Sequence, residues 1–322
     1  MNWLRVSILI VSGWLLATIP VASQGPICRT ANIPSDAPNC ASEEFVSNHF
    51  PGSSTLGDIA VFADGTGNVL QDGGPLAALL RSYLAGLTLS NDVGTPNSVL
   101  DISAGVAADS TNTVIIKLAA FTKSTAGAWT SGSGNNGMGN GLTIAPITWY
   151  HVCLANNGGT PDIWFDTSAV CANKPAGITD TKFRRIGSFF NGSLGHIIAF
   201  SQFGDEFLWL QSVGDLNAIT VSTTAALETL SIPIGVKVTA LFRSYASQTA
   251  TQAVIFYPPD QTTQTANTPS GNDSLTWSGN SQSGGQFAVR TNTNSQIGIV
   301  ATGNVYLSLA TYGWIDRRGR DN

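Results

Sequence analysis

The chain has 322 residues and a net charge of -5; only 11% of its residues are charged, while glycine reaches 34. An average globular domain carries roughly 25% charged residues, so this surface is neutral and rich in hydroxyl and amide groups, and Glu and Lys are too scarce for long surface helices. No basic stripe precedes the last few residues, which removes the electrostatic footprint of a nucleic-acid binder.

Met1 to Arg5 forms a short positive start, and Val6 to Val21 is an almost uninterrupted apolar run closed by the small residues Ala22 and Ser23. At roughly 16 residues this run falls short of the ~20 that span a bilayer. It predicts a secretory signal peptide over 1–23, cut after Ser23, and a secreted, periplasmic or extracellular protein. No later apolar stretch reaches spanning length, so no membrane span is expected after cleavage.

Residues 24–50 read as a cysteine loop followed by a short helix. Cys28 and Cys40 bracket the loop, and Ser42 is a candidate helix cap ahead of Phe45 and Val46. Residues 51–84 read as a hairpin, Ile59 to Phe62 and Asn68 to Leu70 around Asp64-Gly65-Thr66-Gly67, with a connecting helix from Pro75 to Tyr83. Four cysteines in an exported chain suggest disulfides rather than zinc ligands or a nucleophile. Of the three connectivities four cysteines allow, the local one, Cys28 with Cys40 and Cys153 with Cys171, is preferred. Closing loops of this size stabilises a fold by on the order of 3 kcal/mol.

From residue 85 to 316 short strands alternate with turn clusters, the pattern of an all-β protein built as an antiparallel β-sandwich of jelly-roll type. Strands are expected at Val99 to Ile102, Thr113 to Phe121, Thr148 to Ala155, Asp162 to Phe165, Ile197 to Phe203 and Glu206 to Leu210. Further strands are expected at Val236 to Phe242, Ala253 to Tyr257, Gln286 to Thr291, Gln296 to Ala301 and Val305 to Tyr312. The region is either one sandwich or two β subdomains dividing near 211–231. Residues 131–141 are too glycine-rich to be core, and form either a mobile loop or a close-approach surface of the kind that binds ligands. A polar stretch, Gln261 to Gly285, interrupts the later strands, and the basic tail at 317–322 reads as a solvated end.

Two parts of the chain resemble phage or prophage tail-fibre proteins. Asn39-Cys40-Ala41-Ser42-Glu43-Glu44-Phe45-Val46 is similar to a segment of the form A-[ST]-x-x-F-V that recurs in tail fibres, and Val61 to Asp72 resembles the fibre hairpin that follows it. Arg290-Thr291-Asn292-Thr293-Asn294 and Gly313 to Gly319 look like the ends of prophage-encoded structural proteins. The resemblance implies a structural, trimeric role in surface recognition; the signal peptide departs from it, since virion parts normally assemble in the cytoplasm. A second resemblance, to concanavalin/laminin-G-like jelly rolls, runs through Trp149-Tyr150-His151-Val152, Ile163 to Asp166, Arg185-Ile186-Gly187 and Phe190 to Leu194. It implies binding to glycans or proteins.

Catalytic chemistry is thinly supplied. A glycosidase needs two carboxylates about 5 to 9.5 Å apart, yet the glutamates are Glu43, Glu44, Glu206 and Glu228, and the adjacent Asp205 and Glu206 point to opposite faces of a strand. His151 and His196 lack a nucleophile elbow and an orienting carboxylate, so structural hydrogen bonding is the better reading. No three-ligand metal cluster is visible and no cofactor is expected. Calcium is the one ion with candidate oxygens, at Asn91-Asp92, Asp109 to Asn112, and Asp162 with Asp166. Among the tryptophans, Trp149 and Trp164 lie among apolar strand neighbours and should be buried. Trp129 beside the glycine-rich loop and Trp277 in the polar stretch are the candidates for exposure and sugar stacking. The predicted ligand site is therefore Trp129, Asn135, Asn136, Asn140 and Trp277. The expected protein is a non-catalytic adhesion or surface-recognition protein with a cell-surface glycan or protein as partner, functioning as a homotrimer. The alternatives are a secreted polysaccharide hydrolase using Asp205, Glu206 or Asp166, and a purely structural protein.

Overall fold

The computed structural model describes residues 58–62, 70–75, 80–267 and 273–320. The signal peptide, the Cys28 and Cys40 loop, the short helix after it and the turn of the first hairpin lie outside the described residues. Two compact units divide the chain at Gly74 and Pro75. In the first, β1 (Asp58–Phe62) pairs with β2 (Leu70–Pro75) in a two-stranded sheet.

The second unit is all-β. In chain order its strands are β3 (Leu84–Gly86), β4 (Leu89–Asn91), β5 (Val99–Ile102), β6 (Gly105–Ala108), β7 (Ile115–Leu118), β8 (Phe121–Ala128), β9 (Asn136–Met138), β10 (Thr148–Ala155), β11 (Asp162–Asp166) and β12 (Phe183–Asn191). They continue with β13 (Phe200–Phe203), β14 (Glu206–Val221), β15 (Ala226–Thr229), β16 (Thr239–Gln248), β17 (Gln252–Tyr257), β18 (Leu275–Trp277), β19 (Ser281–Arg290), β20 (Gln296–Ala301) and β21 (Val305–Ile315). Among the described residues the only helical segment is a 3-10 turn at Asn157–Gly159. The helix expected from Pro75 to Tyr83 is absent where residues are described: Pro75 ends β2, Tyr83 N donates to Leu80 O in a turn, and Ser82 takes a φ of 55° with its N–H on Asn112 Oδ1. A left-handed residue cannot continue a right-handed helix.

Four sheets result. A three-stranded sheet runs β3-β6-β7 and a seven-stranded sheet β12-β10-β11-β9-β8-β5-β4; a five-stranded sheet runs β13-β14-β21-β16-β19 and a four-stranded sheet β15-β20-β17-β18. Pairing is antiparallel except for β9, which runs parallel to β8 and β11. The change from one pair of sheets to the other falls between Asn191 and Phe200, and residues 211–221 are the second half of β14.

The five- and four-stranded sheets face each other across Phe242, Phe256 and Phe287, whose ring centroids lie 4.9 to 5.7 Å apart. The seven-stranded sheet joins this sandwich through indoles. Trp149 of β10 sits 5.7 Å from Trp209 and 5.4 Å from Trp314, and Trp314 stacks on Phe207 at 5.1 Å. Large aromatic surfaces in contact contribute the most apolar burial per residue, so this cluster is the principal joint between the sheets. Trp164 is fully buried, as its neighbours imply.

Strand β10, between β12 and β11, is buried on both faces. Tyr150, Val152 and Leu154 enter the main core, while Cys153 and Ala155 enter a second, small core with Trp164, Cys171 and Ile178. The Cys153–Cys171 disulfide forms as the spacing suggests, with Cα atoms 6.1 Å apart.

Within the basic tail Arg317 is exposed, as expected of a solvated end, but Arg318 is not. Arg318 is 4% exposed, and its Nη1 donates to the carbonyls of Gly86 and Leu87; Asp316 is buried in a two-pronged pair with Arg185. Buried charge is tolerated because each head group finds fixed partners.

A neutral groove beside the glycine-rich loop as candidate functional site

Strand β8 alternates Phe121, Lys123 and Thr125 toward the protein interior, which buries a lysine completely. Its Nζ donates to the carbonyls of Thr130 at 2.6 Å, Gly132 at 3.0 Å and Asn136 at 3.4 Å, and pairs with Asp162 Oδ1 at 3.0 Å. Burial pulls the Lys123 ammonium below its usual value, and the Asp162 carboxylate opposes that shift. Asp162, at the start of β11, accepts from Gly132 N at 2.8 Å and from the Ser131 hydroxyl at 3.3 Å.

These contacts tie the glycine-rich segment down instead of leaving it mobile. Its middle forms β9, with Met138 1% exposed, so part of the segment is core after all. A Cβ on Gly139 would lie 2.6 Å from Asn173 O and 3.0 Å from Phe165 O, whereas Gly132, Gly134 and Gly141 take φ values of 97°, 80° and 71°. The glycines serve close approach at one position and left-handed backbone at three.

Trp129 follows β8 and is half-buried. Its Nε1 donates to Ile163 O at 3.0 Å, its ring lies 5.2 Å from Lys123 Nζ, and its six-membered edge abuts Gly177, where a Cβ would come within 2.6 Å. The indole thus forms one wall of a groove of about 440 Å³, whose lining includes Thr130, Ser131, Asn140, Pro175 and Gly177 and no charged side chain. Of the predicted ligand residues, the fold brings Trp129 and Asn140 together here. Asn135 and Asn136 belong to the same loop but not to the groove. Asn135 Nδ2 donates to Ser131 O, and the Asn136 side chain lies against Gly127.

Trp277 is overturned as a site residue: it is 7% exposed, inside the main core on β18. Leu275 and Trp277 are buried with Thr276 exposed between them, a strand alternation present in the polar stretch but too short to stand out. The groove residues missed by sequence reasoning are Thr130, Ser131 and the Pro175 to Gly177 wall. Only the Cys153–Cys171 spacing pointed toward that wall.

Among the described residues, His151, Asp166 and Asp205 are each held in internal contacts. His151 Nδ1 lies 2.9 Å from Ser188 Oγ, and Arg185 Nη1 donates to the same oxygen at 3.1 Å. His151 and Ser188 are wholly buried, and burial followed by the Arg185 charge brings the histidine down to about 3. A serine held by a guanidinium and closed off from solvent is a structural group. His196 is exposed. Asp205 is engaged by Arg318 and Arg320, and Asp166 accepts from Trp164, Ser168 and Asn173.

The candidate calcium oxygens are likewise committed internally. Burial raises the Asp109 carboxyl, but the Thr111 hydroxyl and the backbones of Val114, Thr113 and Thr111 donate to it and hold it below the usual range; Asp92 accepts from Thr95. Asn91 bonds to Pro96, Ile197 and Phe200. Among the described residues no group of three or more His, Cys, Asp or Glu is placed to hold a metal ion.

No family model and no curated protein matches the chain. Two solved structures show a weak likeness. The structure of infectious bursal disease virus Gx strain is 9% identical over 82% of this chain and 72% of that chain, with a TM-score of 0.20. The crystal structure of a Bacillus thuringiensis Cry1Da tryptic core variant is 10% identical over 83% of this chain, with a TM-score of 0.16, and the chain spans 59% of its length. Scores this low carry no argument about fold or function.

Proposed function

We propose that this chain is an exported, non-catalytic surface-recognition protein of the tail-fibre type, which binds a neutral, hydroxyl-rich glycan in the Trp129 groove. One observation carries the reading: an indole wall, two hydroxyls and an amide line an uncharged groove whose loop is held by the Lys123 and Asp162 pair. Sugars present C–H faces that stack on aromatic rings and hydroxyls that exchange hydrogen bonds with Ser, Thr and Asn. A fixed loop lowers the ordering cost of binding.

Export is supported by the apolar N-terminal run and by the disulfide, since such bonds persist in oxidising compartments. Among the described residues no helix is long and apolar enough to cross a membrane. A tail-fibre-like homotrimer would multiply one modest site into useful avidity. Glycan-array binding by the native chain, lowered at least tenfold by Trp129→Ala and by Asn140→Ala, is the expected result. Unchanged binding in Trp129→Ala would remove the groove from the account, and light scattering at the mass of one chain would remove the trimer.

A further inference from the structure

We propose that the outward face of the five-stranded sheet is a second binding surface, which takes an extended, neutral polysaccharide lying across β21 and β16. The proposal stands on side chains that the Trp129 groove does not use.

Strand alternation creates the face. Along β21, Val305, Leu307, Leu309 and Thr311 are buried, which turns Tyr306, Ser308, Ala310 and Tyr312 outward. On β16, Ser244 and Ala246 are buried while Arg243 and Tyr245 are exposed. The register sets Tyr245 opposite Ser308, Arg243 opposite Ala310 and Ser247 opposite Tyr306. Tyr245 and Tyr306 are therefore diagonal neighbours, 43% and 54% exposed. The Arg243 guanidinium lies 4.9 Å from the Tyr312 ring centroid. At the rise of a β-strand, Tyr306 and Tyr312 stand about 20 Å apart.

Between the rings the floor is low. Gly284 is the partner of Tyr245 on β19, and a Cβ there would meet only Ser244 O at 3.2 Å; Gly214 is the partner of Ala310 on β14, and a Cβ there would meet nothing within 4 Å. Three tyrosines thus flank a shelf of small residues, beside the amides of Gln282 and Gln286 and the hydroxyls of Ser247 and Ser308.

Charge selects the occupant. The outward residues of β16, β19 and β21 bring two guanidiniums, of which Arg290 is held by Asp260 and Arg243 lies over Tyr312. A polyanion would find too few cations here. A neutral chain of sugars needs no cations, and its C–H faces and hydroxyls match rings, amides and hydroxyls in turn.

Native electrophoresis of the full chain in gels cast with neutral polysaccharides (a cellulose ether, a galactomannan, a β-glucan) tests this. The native chain should be retarded in at least one gel. Tyr245→Ala/Tyr306→Ala should lose at least tenfold in apparent affinity, Tyr245→Phe/Tyr306→Phe should retain it, and Trp129→Ala should keep part of the retardation. The proposal falls if no neutral gel retards the native chain or if the double alanine variant is retarded equally. It also falls if Trp129→Ala abolishes retardation as completely as the tyrosine variant. A drop in solution mass for the alanine variant would assign the face to a second copy and overturn it as well. Retardation lost only in Trp129→Ala would leave the groove intact and remove this surface alone.

Discussion

Arg318 Nη1 donates to the carbonyl of Gly86 at 3.1 Å across 232 residues of sequence, and so fastens the end of β21 to the start of the second unit. Its own N–H donates to Asp316 Oδ1 at 2.7 Å, and Asp316 is already paired with Arg185 of β12. Arg318→Ala leaves the Gly86 and Leu87 carbonyls without this donor, at about 1–3 kcal/mol for each buried group left unsatisfied. Thermal unfolding should shift down by several degrees, and a midpoint equal to that of the native chain would refute this fastening role.

Acid should loosen the same region through His151. Its folded value of about 3 lies below the ordinary histidine value of 6.5, so the unfolded chain binds the extra proton between those limits. Stability is therefore lost as pH falls from about 6.5 toward 3, by on the order of 2–3 kcal/mol at pH 4.5. Asp316, held low by Arg185 against the cost of burial, adds a loss that sets in as pH falls through the ordinary carboxylate range. Urea midpoints measured at pH 7 and 4.5 should differ in the native chain and converge in His151→Gln. Equal pH slopes in the two proteins would show that the imidazole is not the cause.

Lys123→Met removes three donated hydrogen bonds and leaves Asp162 as a buried carboxylate without its cation. Breaking a buried pair on one side costs about 3–5 kcal/mol. The amides of residues 131–136 should exchange with solvent faster by orders of magnitude than those of β10. Protection unchanged in that loop would mean that the lysine does not hold it.

The Cys153–Cys171 bridge fixes the segment that carries the Pro175 and Gly177 wall. Cys153→Ala/Cys171→Ala should lower stability by about 2–4 kcal/mol. It should also raise hydrogen exchange across 172–178, with glycan affinity falling in step. A loss of stability without loosening of that segment would separate the bridge from the groove.

Much of the framework was legible in the sequence because runs of β-branched and aromatic residues bounded by turn clusters are a strong signal. The limits of β5, β10 and β20 coincide with the runs Val99–Ile102, Thr148–Ala155 and Gln296–Ala301. β14 was read as ending at Leu210 because Leu210, Gln211 and Ser212 are all exposed there. The register to β21 slips between Leu208 and Val213, and an alternation broken by a bulge looks like a strand end. The site was harder to see. Trp129 and Asn140 were found from loop composition, but the ion pair that orders the loop joins Lys123 to Asp162 across 39 positions, and neither residue type announces burial. The tail was misread for the same reason: Arg318 looks solvated until Gly86 and Leu87 are brought to it by the fold.

β21, the last strand in sequence, occupies the middle of the five-stranded sheet between β14 and β16. Neither neighbour can complete its ladder until Val305 to Ile315 has been made and inserted. During synthesis β14 and β16 must wait as unpaired edges, a state open to mispairing with other chains. Truncation before Val305 should therefore give aggregates rather than a smaller folded protein.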